Sequence, residues 1–137
     1  MPGSWKERPL VRLDDRVWIL WAVWILLIPA PWLLGAAAAA CVHEMGHILA
    51  VLLLGGSVHR IVIGPFGAKI HAAGIDGYRE AFCALAGPLG SFLCLLLIRK
   101  FPVLGLCALV QGSFNLLPIY PLDGGRALSC LPRRKKP

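Results

Sequence analysis

The sequence predicts an all-α polytopic membrane protein with about four transmembrane helices and a small membrane-associated β-hairpin. Hydrophobic residues make up 58% of the 137 residues and charged residues only 15%. A typical soluble domain is about half apolar and a quarter charged. The mean hydropathy is +0.71. The apolar residues also form long runs that proline, glycine and basic residues separate, a pattern typical of helices that cross a bilayer.

The first two spans are predicted at about 17–28 and 32–54. The first carries tryptophan at every third position from Trp18 to Trp24, which favours helix packing or anchoring at the membrane interface. Because this run is short for a bilayer, we expect residues 13–16 to extend it. Proline suits the first turn of the second helix, where its missing N–H costs no hydrogen bond. The glycine pair at 55–56 is expected to end that helix.

The other two spans are predicted at about 81–98 and 101–117, the former interrupted by Ala86-Gly87-Pro88. Gly87 and Gly90 form a patch of small residues that lets another helix approach closely. We expect one membrane-embedded domain over 17–126. A basic cytoplasmic lead-in at 1–16 would precede it, and a basic cytoplasmic tail at 127–137 would follow it.

The segment between the second and third spans has a different composition. Residues 58–63 are rich in β-branched side chains, 64–67 form a turn sequence, and 68–72 can return as a second strand. The hairpin predicted at about 58–72 would lie against or within the membrane surface, where protein or water must satisfy its backbone. His59 and His71 belong to this segment. Neither has a partner at metal-ligand spacing, so we expect both to be surface or packing residues.

Basic residues predict the orientation. With the N-terminus inside, every lysine and arginine except Arg99 and Lys100 lies on the cytoplasmic side, in agreement with the positive-inside rule. We therefore expect a multi-pass protein of the cell membrane with both termini in the cytoplasm. Much of the net charge of +7 lies at the two chain ends. Such clusters near spans favour the anionic lipid bilayer over nucleic acid, and no nucleic-acid recognition motif accompanies them.

The second span contains the sequence His43-Glu44-Met45-Gly46-His47. Histidines four residues apart lie on one face of a helix and can bind one zinc ion, and the glutamate between them can act as a general base. Such groups are costly within an apolar span, so a functional site is the default interpretation. An alternative stays open, in which the three polar side chains only satisfy one another.

A catalytic zinc needs three protein ligands and one open position. The third ligand must reach the same membrane depth from another helix, and Asp123 is the only acidic residue after Glu80. In the predicted topology, Asp123 at the inner end of the fourth span lies at the depth of His47. Asp123 begins an Asp-Gly-Gly sequence and can also be a simple turn residue. We expect His43, His47 and Asp123 to bind one Zn²⁺.

Two other protein classes are disfavoured. The N-terminal region resembles a secretory signal, because basic residues precede an apolar run and the alanines at 36–40. Cleavage there would remove the start of the helix that carries the histidine pair, so we expect a retained anchor. The five cysteines are odd in number and include no CxxC pair, which argues against a disulfide framework. Cys41 would face away from His43 on a helix and is a poor candidate ligand.

Three motifs resemble the signatures of site-2 proteases, which are intramembrane zinc metalloproteases that cleave membrane-associated substrates. They are the sequence at 43–47, the Ala86-Gly87-Pro88 break, and the run at 115–124 that begins with Asn115 and ends in Asp123-Gly124. The run at 64–67 and the Asn-Leu-Leu-Pro sequence also resemble the bacterial sporulation branch, stage IV sporulation protein FB. The likeness covers about residues 40–126.

The resemblance implies a three-helix catalytic core made from the second, third and fourth spans. It also implies that His43, His47 and Asp123 bind zinc. Glu44 would be the catalytic base, and Asn115 would contact the substrate or the oxyanion. The implied function is hydrolysis of a peptide bond in or near a transmembrane segment, as in regulated intramembrane proteolysis, with sporulation as one setting.

The partners expected are a membrane-protein substrate and either a regulatory membrane protein or a second copy of the chain as a homo-oligomer. Two alternative functions stay open. A membrane metal transporter should have polar residues at staggered depths on several helices, whereas here they converge on one site. A catalytically inactive protease-like scaffold is the other alternative, and the complete set of site residues argues against it.

Overall fold

A computed structural model describes residues 11–64 and 67–130 and shows a mostly helical chain with one small sheet. The helices are α1 (Arg16–Leu27), α2 (Ala30–Leu53), α3 (Tyr78–Leu93), α4 (Pro102–Asn115) and α5 (Asp123–Ser129), and the strands are β1 (Val11–Leu13), β2 (Ser57–Gly64) and β3 (Gly67–Ala73). A 3₁₀ turn at Cys94–Leu97 continues α3. Most of the predicted lead-in and of the predicted tail lies outside the described residues.

Two helices in the described part of the chain are long and apolar enough to cross a membrane. They are α2, with 24 residues, and the 20-residue unit Tyr78–Leu97. At 1.5 Å per residue they measure about 36 and 30 Å, which matches the ~30 Å hydrocarbon layer. α1 has 12 residues and α4 has 14, so each is shorter than the layer is thick. The count of four spans therefore stays a prediction.

The expected extension of α1 back to residue 13 is wrong. Val11–Leu13 forms β1, which pairs in parallel with β2 and aligns Leu13 with Ile63. The Asp14 side chain then accepts a hydrogen bond from the Arg16 backbone N–H at 3.0 Å, and the helix begins there. Pairing with a distant strand therefore decides the conformation of this segment, and local composition does not reveal such a pairing.

The sheet has the order β1-β2-β3. β2 and β3 are antiparallel, with Ile63 opposite Ala68, and a register irregularity lies between Val58 and Arg60. β3 is an edge strand of this sheet. Gly55 has a φ of +79°, which suits a residue without a side chain, and it ends α2 and leads the chain into β2, as the glycine pair predicts.

The course of α3 contradicts one prediction, and its packing against α2 confirms another. The predicted interruption at 86–88 is absent, because α3 continues through Pro88. Proline removes only one backbone donor, and neighbouring helices allow it within an apolar helix. Gly87 and Gly90 do face α2: a Cβ on Gly90 would lie 3.2 Å from the Val42 carbonyl oxygen. The predicted close approach of two helices at this patch is confirmed.

The distribution of polarity is the reverse of that in a soluble protein. Large apolar side chains on the outside are highly exposed, such as Leu26 at 83% and Leu53 at 85%. The buried residues include small apolar groups such as Ala39 and Ala108, together with the polar residues His43, His47, Ser91 and Asp123. A soluble monomer rarely exposes so much continuous apolar surface, and a bilayer solvates such a surface well.

Candidate metal centre

Two histidines of α2 form the base of the site. His43 is 2% exposed and His47 is 7% exposed, and their Nε2 atoms lie 3.2 Å apart. The four-residue spacing places both rings on the face of α2 that packs against α3. Gly87 of α3 leaves room for the second ring, because a Cβ there would overlap the His47 imidazole. Close packing of the two helices therefore encloses the pair.

Asp123 reaches the same point from the N-terminus of α5. Its Oδ2 atom lies 3.0 Å from His43 Nε2 and 3.2 Å from His47 Nε2. The two glycines that follow make this possible. A Cβ on Gly124 would overlap the Leu116 carbonyl, and one on Gly125 would overlap the backbone at Ile119 and Tyr120. The Asp-Gly-Gly sequence thus brings α5 back against the preceding loop and directs the carboxylate inward.

The donor atoms fit a zinc ion. His47 Nδ1 hydrogen-bonds the Cys83 carbonyl at 2.7 Å, and His43 Nδ1 hydrogen-bonds Ser91 Oγ at 2.9 Å. A carbonyl only accepts, so His47 Nδ1 carries the proton and His47 Nε2 presents a lone pair. Ligand atoms about 2.0–2.1 Å from a tetrahedral zinc lie roughly 3.3 Å apart. The three observed separations are close to this value, and a cation would relieve the repulsion between the lone pairs.

His43, His47 and Asp123 are the only group of three or more His, Cys, Asp or Glu side chains within residues 11–64 and 67–130 that could hold a metal ion. The remaining described histidines lie elsewhere, as expected from their spacing. His59 is exposed and its Nε2 hydrogen-bonds Ser57 Oγ at 3.1 Å. His71 is exposed on β3. Cys41 is exposed and does not contribute to the cluster.

Glu44 is half-buried and directly follows His43 in α2. Its Oε1 accepts a hydrogen bond of 3.4 Å from the backbone N–H of Ala68 in β3. Its Oε2 is buried and has no hydrogen-bond partner in the described part of the chain. A buried oxygen without a partner costs free energy, and such atoms often mark sites where a ligand or water supplies the missing bond.

The Asn115 side chain forms its hydrogen bond outside this cluster. It is the last residue of α4, and its Nδ2 donates a hydrogen bond of 3.1 Å to the Gln111 carbonyl of the same helix. Among the described residues it makes no hydrogen bond to the two histidines, Glu44 or Asp123. The contact of Asn115 with substrate or oxyanion therefore stays a prediction.

Two further side chains contact the site, and the sequence alone does not predict either contact. Ser91 hydrogen-bonds His43, and Arg126 Nη1 lies 3.7 Å from Asp123 Oδ1, on the side away from the histidines. Ser91 is the one hydroxyl residue in the apolar run 81–98, and this isolated polar position can be recognised in the sequence. Arg126 follows Asp123 at the three-residue spacing of neighbours on a helix.

The described part of the chain thus brings a buried His-His-Asp cluster and a neighbouring glutamate together among apolar helices. The model of the family described as Peptidase M50B-like matches residues 17–117. The chain belongs to this family, which includes the site-2 proteases. The predicted resemblance is thereby confirmed.

Sequence similarity to individual proteins supports the same family. The chain is 30% identical over 131 residues to the zinc metalloprotease MJ0392 of Methanocaldococcus jannaschii, covering 85% of this chain and 36% of the relative. It is 32% identical over 123 residues to the putative zinc metalloprotease sll0528 of Synechocystis, covering 74% and 32%. It is 27% identical over 152 residues to the stage IV sporulation protein FB of Bacillus subtilis, covering 98% and 52%. The chain thus spans about a third of the length of the first two relatives and about half of the third.

The fold has a solved counterpart. The site-2 protease from Methanocaldococcus jannaschii superimposes with a TM-score of 0.71 at 26% sequence identity, covering 86% of this chain and 64% of that one. The mostly helical fold with one small sheet is therefore the site-2 protease fold. The proteins of this family are membrane proteins, in agreement with the two long apolar helices.

Proposed function

We propose that this chain is a zinc-dependent intramembrane endopeptidase that hydrolyses a peptide bond in or near the transmembrane segment of a membrane-associated protein. One observation carries the proposal: His43, His47 and Asp123 converge at a buried point, and the neighbouring Glu44 has a buried oxygen that has no partner among residues 11–64 and 67–130. A structural cluster would need no such free carboxylate. A hydrolase needs one to accept a proton.

In this proposal His43, His47 and Asp123 hold one Zn²⁺. When bound, zinc supplies a Lewis acid that lowers the pKa of water and stabilises negative charge on the scissile carbonyl. Glu44 Oε2 accepts the proton of the attacking water and returns it to the departing amine. The hydrogen bond from the Ala68 N–H to Oε1 keeps the carboxylate oriented, and Oε2 has no partner within the described part of the chain.

Asn115 is proposed to donate a hydrogen bond to the substrate or to the developing oxyanion. Its amide now bonds to the Gln111 carbonyl. The Gln111 carbonyl lies one turn before the end of α4. Rotation of the Asn115 side chain would break this hydrogen bond and let the amide donate to a substrate instead.

The edge of β3 is proposed to receive the substrate as an added strand. The Ala68 N–H bonds to Glu44 and therefore points away from β2. Because strand residues alternate in direction, the N–H of Ile70 is on this same outer edge. A helix conceals its carbonyls, whereas a strand paired to this edge would present an extended backbone beside Glu44.

Replacing Ile70 by proline tests the added strand. Ile70→Pro removes an outward donor without removing a bond to β2, so we expect cleavage to fall roughly fivefold, the value of one hydrogen bond of about 1 kcal/mol. Zinc content should not change. The matched control is Ile70→Ala, which keeps the N–H and should cleave at the wild-type rate. Equal rates for the proline and alanine variants would remove the strand from the proposal.

The membrane arrangement is part of the proposal. We place α1 to α4 in a bilayer of the cell membrane, with both chain ends in the cytoplasm and the core made of α2, α3 and α4. The high exposure of apolar side chains on the outside supports contact with lipid. The short α1 and α4 fit if the bilayer thins locally, which costs a modest amount of free energy.

The substrate and regulator are proposed by class only. The substrate is a membrane-associated protein with a segment that can unwind near the site, and a second membrane protein or a second copy of the chain would regulate access. The likeness to the stage IV sporulation protein FB makes a sporulation substrate one specific candidate.

Metal removal tests the proposed function. The purified chain in lipid vesicles should hold one zinc per chain and cleave a labelled transmembrane peptide. A strong chelator should abolish cleavage, and one equivalent of Zn²⁺ should restore it. A metal transporter would instead move Zn²⁺ into the vesicles without cutting the peptide. A scaffold would bind the peptide without cutting it, and either result would overturn the proposal.

A further inference from the structure

We propose that Ser91 is a positioning residue that orients His43 for zinc. The inference rests on the metal centre of the proposed function and adds a residue that contacts a ligand without contacting the metal. Ser91 is completely buried in α3, and its Oγ lies 2.9 Å from His43 Nδ1 on α2. This is the ring nitrogen remote from the cluster, so the contact sets the ring without competing for the ion.

The packing around Ser91 holds the hydroxyl in place. Gly112 of α4 packs directly on it, since a Cβ on Gly112 would lie 3.0 Å from Ser91 Cβ and 3.4 Å from the Pro88 carbonyl oxygen. Pro88, one turn earlier in α3, is also fully buried. Ser91 is therefore enclosed between three helices, and its side chain has little room to turn away from His43. A locked outer contact of this kind holds a metal ligand in its binding orientation.

A hydroxyl can donate or accept a hydrogen bond, whereas a carbonyl can only accept one, and this difference matters for His43. When His43 Nε2 offers its lone pair to zinc, Nδ1 carries the proton and Ser91 Oγ accepts it. Without the ion, His43 Nε2–H can donate to Asp123 Oδ2 at 3.0 Å, and Ser91 O–H then donates to the bare Nδ1. The buried hydrogen bond is kept in both states. His47, bonded to the Cys83 carbonyl, is fixed in one state.

α3 thus supports both histidines from one face. Cys83 and Ser91 are eight residues apart, which is about 12 Å or just over two turns of helix. Gly87 lies midway between them, where the absence of a side chain makes room for His47. α3 contributes none of the three metal-binding side chains. It forms one hydrogen bond with each histidine ring, and at Gly87 it leaves the space that the His47 ring fills.

The test is the zinc affinity of Ser91→Ala, measured by competition with a chelator in detergent. Loss of an outer partner of a ligating histidine should weaken zinc binding roughly 10- to 100-fold. The control is Ser113→Ala, which removes an exposed hydroxyl from α4 and should bind zinc as the wild type does. Ser91→Cys keeps nearly the volume of serine but has only a weak hydrogen-bonding group, so it should weaken zinc binding in the same direction as Ser91→Ala.

A spectroscopic measurement separates positioning from a general loss of stability. Loaded with Co²⁺, Ser91→Ala should show a shifted visible absorption spectrum, because the ligand field changes when the His43 ring tilts. Ser113→Ala should show the wild-type spectrum. A folded Ser91→Ala with unchanged zinc affinity and spectrum overturns the inference. If that variant does not fold, Ser91→Cys decides, and wild-type zinc affinity in a folded Ser91→Cys also overturns the inference.

These readouts do not depend on proteolysis. If the wild type cleaves its peptide and Ser91→Ala binds zinc normally, the Ser91 inference fails and the proposed function stands. If Ser91→Ala binds zinc weakly but the wild type never cleaves, the proposed function fails and the role of Ser91 stands.

Discussion

Glu44→Gln is expected to lower the cleavage rate roughly 10²- to 10⁴-fold while the zinc content stays at the wild-type level. The amide has nearly the shape of the carboxylate, so the packing of α2 should not change. Glutamine cannot accept a proton at the position of Oε2, which is buried and has no partner among the described residues. Only the proton transfer is removed, because Glu44 is not one of the three converging donors.

The measurement is a pair of assays on the same preparation, metal analysis and cleavage of a labelled transmembrane peptide in vesicles. Glu80→Gln is the control, because Glu80 is in the first turn of α3 and does not belong to the metal cluster. That variant should retain both zinc and cleavage. If Glu44→Gln cleaves at the wild-type rate, another group is the base. If it loses zinc as well as cleavage, Glu44 supports the metal site and the general-base assignment is wrong.

The variant also yields a means of finding the substrate. A protein that binds but does not cut should retain its substrate, so Glu44→Gln is a suitable bait for capture from membranes. A captured protein counts as a substrate only if the wild type cleaves it in purified form. A captured protein that the wild type leaves intact would be a regulatory partner or a contaminant.

The sequence predicts those features of the site that local periodicity determines. The four-residue spacing of His43 and His47 requires one helical face, and this is where the structure has them. The meeting of His47 with Asp123 could be anticipated because basic residues orient the spans, and the two groups then lie at one depth. The structure adds the distance of 3.2 Å between them.

The features that the sequence does not predict depend on contacts between distant segments. β1 forms because residues 11–13 pair with residues 61–63, and no local pattern reveals that partner. The sequence marks the serine on α3 as a lone hydroxyl in an apolar run, but it does not assign a role to that hydroxyl, because the facing helix is unknown until the fold is known. Its partner His43 is 48 residues away in the chain.

Gly87→Ala is the second change for which we expect a large loss. The new Cβ would overlap the His47 ring at Nε2 and Cε1 and would lie 2.8 Å from Cδ2. The ring must then move, and the hydrogen bond of its Nδ1 to the Cys83 carbonyl moves with it. A displacement of about 1 Å at a reacting site can cost on the order of 100-fold in rate. We expect a loss of at least this size in cleavage, together with weaker zinc binding.

Gly90→Ala is the matched control, one turn further along the same helix face. Its Cβ would lie 3.2 Å from the Val42 carbonyl, so the helices need shift only slightly and zinc should remain bound. Equal zinc affinity in Gly87→Ala and Gly90→Ala would contradict the proposed role of Gly87. Because Gly87 directly precedes Pro88, the sequence suggests that the helix breaks there. The structure shows instead that α3 continues through both residues without interruption. The missing side chain is therefore best explained by the volume that the His47 imidazole occupies.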